Sequence, residues 1–171
     1  MSAVLRDRAP SLLPLTVADL SRVLAVEQRA YPFPWTRGNF IDSLAAGHVA
    51  QMLVDGDTLL AYFVAMPGVA ELHLLNLTVA PECQGQGHAR LLLEVLRSCA
   101  RDRACASIWL EVRSSNARAQ SVYLVNGFER QGLRRGYYPA AAGQREDAVV
   151  MHLVVAGEAG GEPTGEPDAA G

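Results

Sequence analysis

A chain of 171 residues, half of them hydrophobic and 19% charged, holds enough apolar surface for one well-buried core and hardly for two. Its net charge of −3 argues against binding nucleic acid through the whole surface. Every basic residue is arginine, and without a lysine ε-amine a Walker phosphate loop, a Schiff-base mechanism and pyridoxal phosphate attachment are excluded.

Cys83, Cys99 and Cys105 form no Cys-x-x-Cys pair, and His48, His73, His88 and His152 are scattered without metal-ligand spacing. A reduced, metal-free protein is expected. The N-terminus has no uninterrupted apolar stretch of signal-peptide or membrane length, which points to the cytoplasm and away from membranes.

In chain order, residues 1 to 10 are expected to be flexible, and Leu12 to Leu15 to form a short strand. Thr16, with Asp19 three residues on, reads as a cap for a helix carrying Leu20, Val23, Leu24 and Glu27 at helical spacing. Tyr31-Pro32-Phe33-Pro34-Trp35 enforces an extended aromatic loop, because the residue before a proline avoids helical backbone. Thr36 caps a second helix reaching about Ala46. Val49 to Val54 and Leu59 to Met66 flank Asp55-Gly56-Asp57, a hairpin signal.

A third strand, Glu71 to Val79, breaks its alternation at Leu74-Leu75, which suggests a β-bulge or a change from one-sided to two-sided burial. Leu91, Leu92, Val95, Leu96 and Cys99 form a helical stripe within 89–101. Ser107 to Val112 is a strand, and Asn116 to Val125 a helix stopped by Asn126-Gly127. Phe128 to Leu133 and Ala148 to Val155 are the last strands. The folded domain is expected over 11–156 and a disordered Gly/Glu/Pro tail over 157–171. Hairpins first and strand–helix–strand crossovers later give a mixed α/β sheet with helices on both faces.

Gln84-Gly85-Gln86-Gly87-His88-Ala89 lies between strand and helix, where free N–H groups and the positive end of the helix dipole bind anions through main chain. Gly85 and Gly87 let that main chain take positive φ and form a concave nest for a diphosphate. Taken alone, a Gly-x-Gly turn divides evenly between binding and plain geometry. A dinucleotide site fits poorly, since the third glycine of that pattern is missing and several strands precede the turn.

Gln84-x-x-Gly87-x-Ala89 resembles the acyl-CoA pyrophosphate signature of the GNAT family of N-acetyltransferases. A longer run is similar to the RimI branch of that family, which acetylates the N-terminal alanine of ribosomal protein S18. It comprises Trp109-Leu110-Glu111-Val112-Arg113-Ser114-Ser115-Asn116-Ala117-x-Ala119, then Tyr123, Asn126-Gly127-Phe128, Arg135-x-Tyr137-Tyr138-Pro139 and Glu146-Asp147-Ala148. The resemblance covers the chain from Leu12 to Val155. It implies the GNAT fold, a twisted and largely antiparallel sheet of about six to seven strands with a splayed strand pair that binds acyl-CoA.

The same resemblance implies acetyl-CoA as co-substrate, with Leu77, Thr78 and Val79 contacting its pantetheine arm through strand backbone and Gly85, Gln86, Gly87, His88, Ala89 and Arg90 holding the pyrophosphate. Asn116 is implied as a cofactor contact, and as an N-cap it has an equally good structural role. Glu111, an acid in an apolar strand, is implied as general base, directly or through water; pairing with Arg113 or another arginine is its structural alternative. Burial is expected to raise its pKa toward the useful range. Tyr123, which otherwise reads as core, is implied as the proton donor to the departing thiolate. With tyrosine near pKa ~10 and a thiol near ~8.5, it acts by position more than by strength.

No His and Asp arrangement activates Cys83, so a covalent acyl-enzyme is not expected. Main-chain N–H groups after Asn76, Val79 foremost by the resemblance, are the expected oxyanion donors. Tyr31, Trp35, Tyr137 and Tyr138, placed on predicted loops with Pro139, are candidates for the substrate groove. Glu146 and Asp147 read equally as a lure for a basic peptide and as a solvated acid pair.

The partner implied is the N-terminal peptide of a ribosomal protein, S18 above others, with no direct nucleic-acid or membrane contact and the enzyme a monomer. An acetyltransferase of another amine, or a non-catalytic acyl-CoA-binding module, stands as the alternative.

Overall fold

The computed structural model describes residues 9–155. The expected tail over 157–171, and the expected flexible N-terminus apart from Ala9 and Pro10, lie outside the described residues. In chain order the elements are β1 (Ser11–Pro14), α1 (Leu20–Ala30), α2 (Arg37–Ala45), β2 (Val49–Asp55), β3 (Thr58–Pro67), β4 (Glu71–Val79), α3 (His88–Asp102), β5 (Ser107–Arg113), α4 (Ala117–Val125), β6 (Glu129–Pro139) and β7 (Arg145–Val154). Among the described residues no helix is long and apolar enough to cross a membrane.

Local chemistry sets most boundaries. The backbone N–H of Thr16 reaches the carboxylate of Asp19 at 2.9 Å in the turn that leads into α1, and Thr36 Oγ1 accepts from Asn39 N at 3.2 Å at the start of α2. Asn116 Oδ1 accepts from Ala119 N at 3.1 Å and caps α4. Gly56, at φ +57°, turns the β2–β3 hairpin.

The seven strands make one sheet in the order β1-β2-β3-β4-β5-β7-β6, antiparallel throughout except for the parallel β4–β5 pair. That pair needs a crossover, and α3 supplies it, burying Leu92, Leu93, Leu96, Cys99 and Ala100. In β3, Leu59 to Ala65 are buried without interruption, which requires cover on both faces; α1 and α3 both pack on this strand.

β4 and β5 pair only from Glu71 to Leu74 against Ser107 to Leu110. Beyond that point β4 is held by β3 alone and β5 by β7 alone, so the sheet opens into a V. The cause lies in the β3–β4 register. Val64 faces Asn76 while Ala65 faces Leu74, which leaves Leu75 as an extra residue that turns β4 away from β5. The irregularity expected at Leu74-Leu75 is therefore the bulge that opens the sheet.

One expectation fails at the C-terminal hairpin. β6 continues past Leu133 to Pro139 and β7 begins at Arg145 rather than Ala148, so Tyr137 and Tyr138 are strand residues and not loop residues. The chain hides this because the register jumps between Arg134 and Tyr138 around Gly136, at φ +57°. The bulge is fastened by side chains of the opposite strand: Gly136 N donates to Asp147 Oδ1 at 2.8 Å, and Arg145 Nη2 donates to Tyr137 O at 2.9 Å.

Candidate active site

Gly85 and Gly87 take φ of +76° and +86°, the left-handed backbone expected of the turn, and nothing lies within 4 Å of where a Cβ would stand on either. Gly87 is the N-cap of α3 and accepts from Leu91 N at 3.1 Å, so the amides of the first turn point outward without helical partners. A cavity of about 750 Å³ runs from this turn to the gap between β4 and β5. Gly85, Gly87, His88, Ala89 and Arg90 line one end; Leu77, Val79, Asn116 and Tyr123 line the other. Gln86 is exposed beside the turn, its Oε1 at 3.3 Å from His88 Nε2.

A second cavity, of about 320 Å³, opens on the other side of the V and contains Glu111 in its wall. Leu77, Arg113, Asn116, Ala119, Tyr31 and Tyr123 border both cavities, so the two meet where the strands part. Strand edges left without a neighbour there present alternate N–H and C=O groups to the gap.

Glu111 is held by an imidazole and a guanidinium. Its Oε2 lies 2.5 Å from His73 Nε2 and its Oε1 3.4 Å from Arg134 Nη1. Burial works to raise the carboxyl, but the hydrogen bond and charge of His73, joined by the charge of Arg134, outweigh it and leave the group below the ordinary carboxylate range. The raised pKa expected from an apolar strand is thus overturned; the expected alternative, pairing with an arginine, is met by Arg134, while Arg113 is engaged with Glu146. Tyr123 is buried and packs edge-on against Phe128 at 5.6 Å; burial, with the fields of Tyr31 and Tyr138, pushes its phenol well up. Cys83 is buried and free, and burial with the field of Glu82 raises its thiol, so it is a poor nucleophile.

A model of the acetyltransferase (GNAT) family matches residues 20–128. The chain belongs to that family. It is 36% identical over 135 residues to a [ribosomal protein bS18]-alanine N-acetyltransferase of Haemophilus ducreyi, covering 79% of this chain and 93% of the relative. To the enzyme of the same name in Escherichia coli K12 it is 37% identical over 141 residues, 82% of this chain and 95% of the relative. The crystal structure of the ribosomal-protein-S18-alanine N-acetyltransferase from Escherichia coli superposes with a TM-score of 0.79 at 36% identity, covering 88% of this chain and 96% of that one.

In this GNAT chain several residues stand differently from expectation. Thr78 does not depart from it: its side chain is buried, bonded to Asn76 Oδ1 at 2.7 Å and near Glu27 at 3.5 Å, which leaves the backbone contact that was expected. Tyr31 sits at the C-terminus of α1, its hydroxyl 3.1 Å from Leu77 O and 2.9 Å from Thr78 Oγ1; burial, partly offset by the Thr78 hydrogen bond, pushes its phenol up to about 12. Trp35 and Tyr138 line the smaller cavity, whereas Tyr137 is not in its wall and lies against Arg134, whose guanidinium is 5.2 Å from the ring centre.

Glu146 and Asp147 form no lure for a basic peptide, because both are engaged. Glu146 accepts from Ser115 N at 2.7 Å and from Arg113 at 3.1 Å, and these bonds, Ser115 first, hold its carboxyl low. Arg113 in turn lies between the rings of Phe33 and Tyr138, at 5.0 and 4.6 Å, and joins the aromatic loop after α1 to the β6–β7 hairpin across the mouth of the smaller cavity.

Sequence reasoning assigned no function to Glu27. It is fully buried and accepts from the Tyr62 hydroxyl, from Trp35 N at 3.0 Å and from Asn76 Nδ2 at 3.2 Å. The usable signal was an acid standing on the apolar stripe of α1, an expensive place unless its oxygens are satisfied.

Proposed function

We propose that this chain is an acetyl-CoA-dependent N-terminal acetyltransferase whose acceptor is the alanine α-amine of ribosomal protein S18, and that it acts in the cytoplasm. The observation that carries the reading is the meeting of the two cavities at Tyr123, with the glycine turn at the far end of one and Glu111 in the wall of the other. The open left-handed glycines and unpartnered amides of the α3 N-terminus suit a diphosphate, and the long cavity suits an extended pantetheine arm. Names of relatives covering four-fifths of the chain support the acceptor.

Acetyl-CoA supplies an acyl thioester. The terminal α-amine, with a pKa near ~8, is neutral in about one molecule in ten at pH 7 and reaches the thioester from the smaller cavity. As the C–N bond forms the nitrogen becomes cationic and far more acidic than the free ammonium. Glu111, although its pKa is low, is then a sufficient base, directly or through one water. Tyr123 donates its proton to the departing thiolate and regains one from solvent after product leaves; since burial raises its own phenol, it serves by position more than by acid strength. Asn116 both caps α4 and borders the junction, so the cap and the cofactor contact are compatible.

The test is acetylation by the full chain of two synthetic peptides, one with a free N-terminal alanine followed by the S18 sequence, the other lysine-containing with a blocked N-terminus. Transfer to the free α-amine alone is expected. Equal rates on the blocked peptide would reject the N-terminal reading, and transfer to neither would favour a binding module.

A further inference from the structure

The pairing of His73 with Glu111 joins β4 to β5 just before the strands part. His73 stands in parallel register with Trp109, and its imidazole reaches across to the carboxylate two residues further along β5, Nε2 to Oε2 at 2.5 Å. His73 does not line the smaller cavity; it is a quarter exposed on the other side of the carboxylate, while Glu111 faces the cavity. We infer that His73 is a positioning residue for Glu111 and weakens its basicity when the imidazole is protonated. This rests on the reading of Glu111 as the base.

The argument is one of proton placement. At 2.5 Å two bare lone pairs would repel, so a neutral His73 must carry its single proton on Nε2 and donate it to Glu111, leaving Nδ1 bare. That bond fixes one carboxylate oxygen and leaves the remaining lone pairs for the acceptor nitrogen. On acidification water delivers a proton to Nδ1 and nothing moves at Nε2. The residue becomes an imidazolium, the pair becomes a salt bridge with no net charge, and the carboxylate draws a proton from the reacting nitrogen less strongly.

Other charged and titratable groups face the pair from the neighbouring strands. Arg134 from β6 lies at Oε1 and stays cationic, and Tyr138 from β6 senses the Glu111 charge and stays neutral. On β7, His152 stacks on Trp109 at 4.2 Å between ring centres, and from β3 the residue in register with His73 is the uncharged Met66. Glu71 lies two residues away on β4 itself, and Arg113, two residues beyond Glu111, is tied to Glu146.

The experiment measures kcat/KM with acetyl-CoA and a free-alanine acceptor peptide from about pH 8.5 to 5.5, for the wild-type chain, His73→Gln and Glu111→Gln. Glutamine offers Glu111 an N–H and does not titrate. The fraction of neutral peptide amine falls identically for every variant. The wild-type rate should fall more steeply than that of the variant as pH is lowered, so the ratio of His73→Gln to wild type should rise severalfold between about pH 8.5 and 5.5. A constant ratio, with Glu111→Gln inactive throughout, would overturn the role of His73 and leave the base assignment standing. Full activity in Glu111→Gln would overturn both.

Should His73→Gln not fold, proton NMR of the imidazole C–H signals decides the matter without it. One histidine must change its titration midpoint between wild type and Glu111→Gln, and no change in any of them overturns the inference.

Discussion

Two carboxylates share the wall of the smaller cavity, and they are held in opposite ways. Glu27 is gripped by neutral donors from β3, β4 and the aromatic loop, its oxygens occupied by Tyr62, Asn76 and the Trp35 amide. Glu111 is held by the His73 imidazole and the cationic Arg134, and it meets the cavity. The first arrangement spends the lone pairs on structure: it ties α1 and the loop after it to the bulged half of β4, which forms one arm of the V. The second keeps a charged oxygen available for chemistry. Burial of an acid therefore does not identify a base, whereas the direction from which its lone pairs are filled does.

That contrast can be broken by substitution. Glu111→Gln should lower kcat/KM by a factor of about 10² to 10⁴, equivalent to about 3 to 5 kcal/mol of barrier, while coenzyme A affinity measured by calorimetry hardly changes. A loss under about threefold would remove Glu111 from the chemistry. Glu27→Ala should act on folding instead. Leaving the Tyr62 hydroxyl, the Trp35 amide and the Asn76 amide without their acceptor should cost about 3 to 4 kcal/mol in urea unfolding. A cost under about 1 kcal/mol would mean that Glu27 is not the pin described.

The smallest effect sharpens the comparison through pH. Glu111 has a folded pKa below its unfolded value, so its contribution to stability is fully present above about pH 4.3 and is lost as pH falls through the lower folded value. Within the carboxylate's own range, the stability difference between wild type and Glu111→Gln, followed by urea unfolding, should shrink as pH falls below about 4.3. A difference that did not shrink there would contradict the hold of His73 and Arg134 on the carboxylate.

Local features were readable along the chain because their causes are local. The glycine turn declares its left-handed backbone, Thr36 and Asn116 their caps, Asp55-Gly56-Asp57 its hairpin, and Leu74-Leu75 the bulge, each within a few residues. The family resemblance rested on equally contiguous runs, and the larger cavity is lined by Leu77, Val79, Gly85, Gly87, His88, Ala89, Arg90 and Asn116 of the cofactor contacts it implied.

Other features depended on which strands become neighbours. The chain alone offered an acid at Glu111 and suggested that burial would raise its pKa; the sheet order set His73, thirty-eight residues away, against it and reversed the sign. In the same way Tyr137 and Tyr138 looked like loop residues until Asp147 and Arg145, from the opposite strand, fastened a bulge around Gly136. Sequence by itself determined the backbone's turns, caps and periodicities and, through them, the fold and the glycine turn at one end of the larger cavity. Only tertiary structure decided the electrostatics of the two acids. A carboxylate's basicity depends on charges and donors within a few ångströms, and these come from residues that pairing, not chain order, brings together.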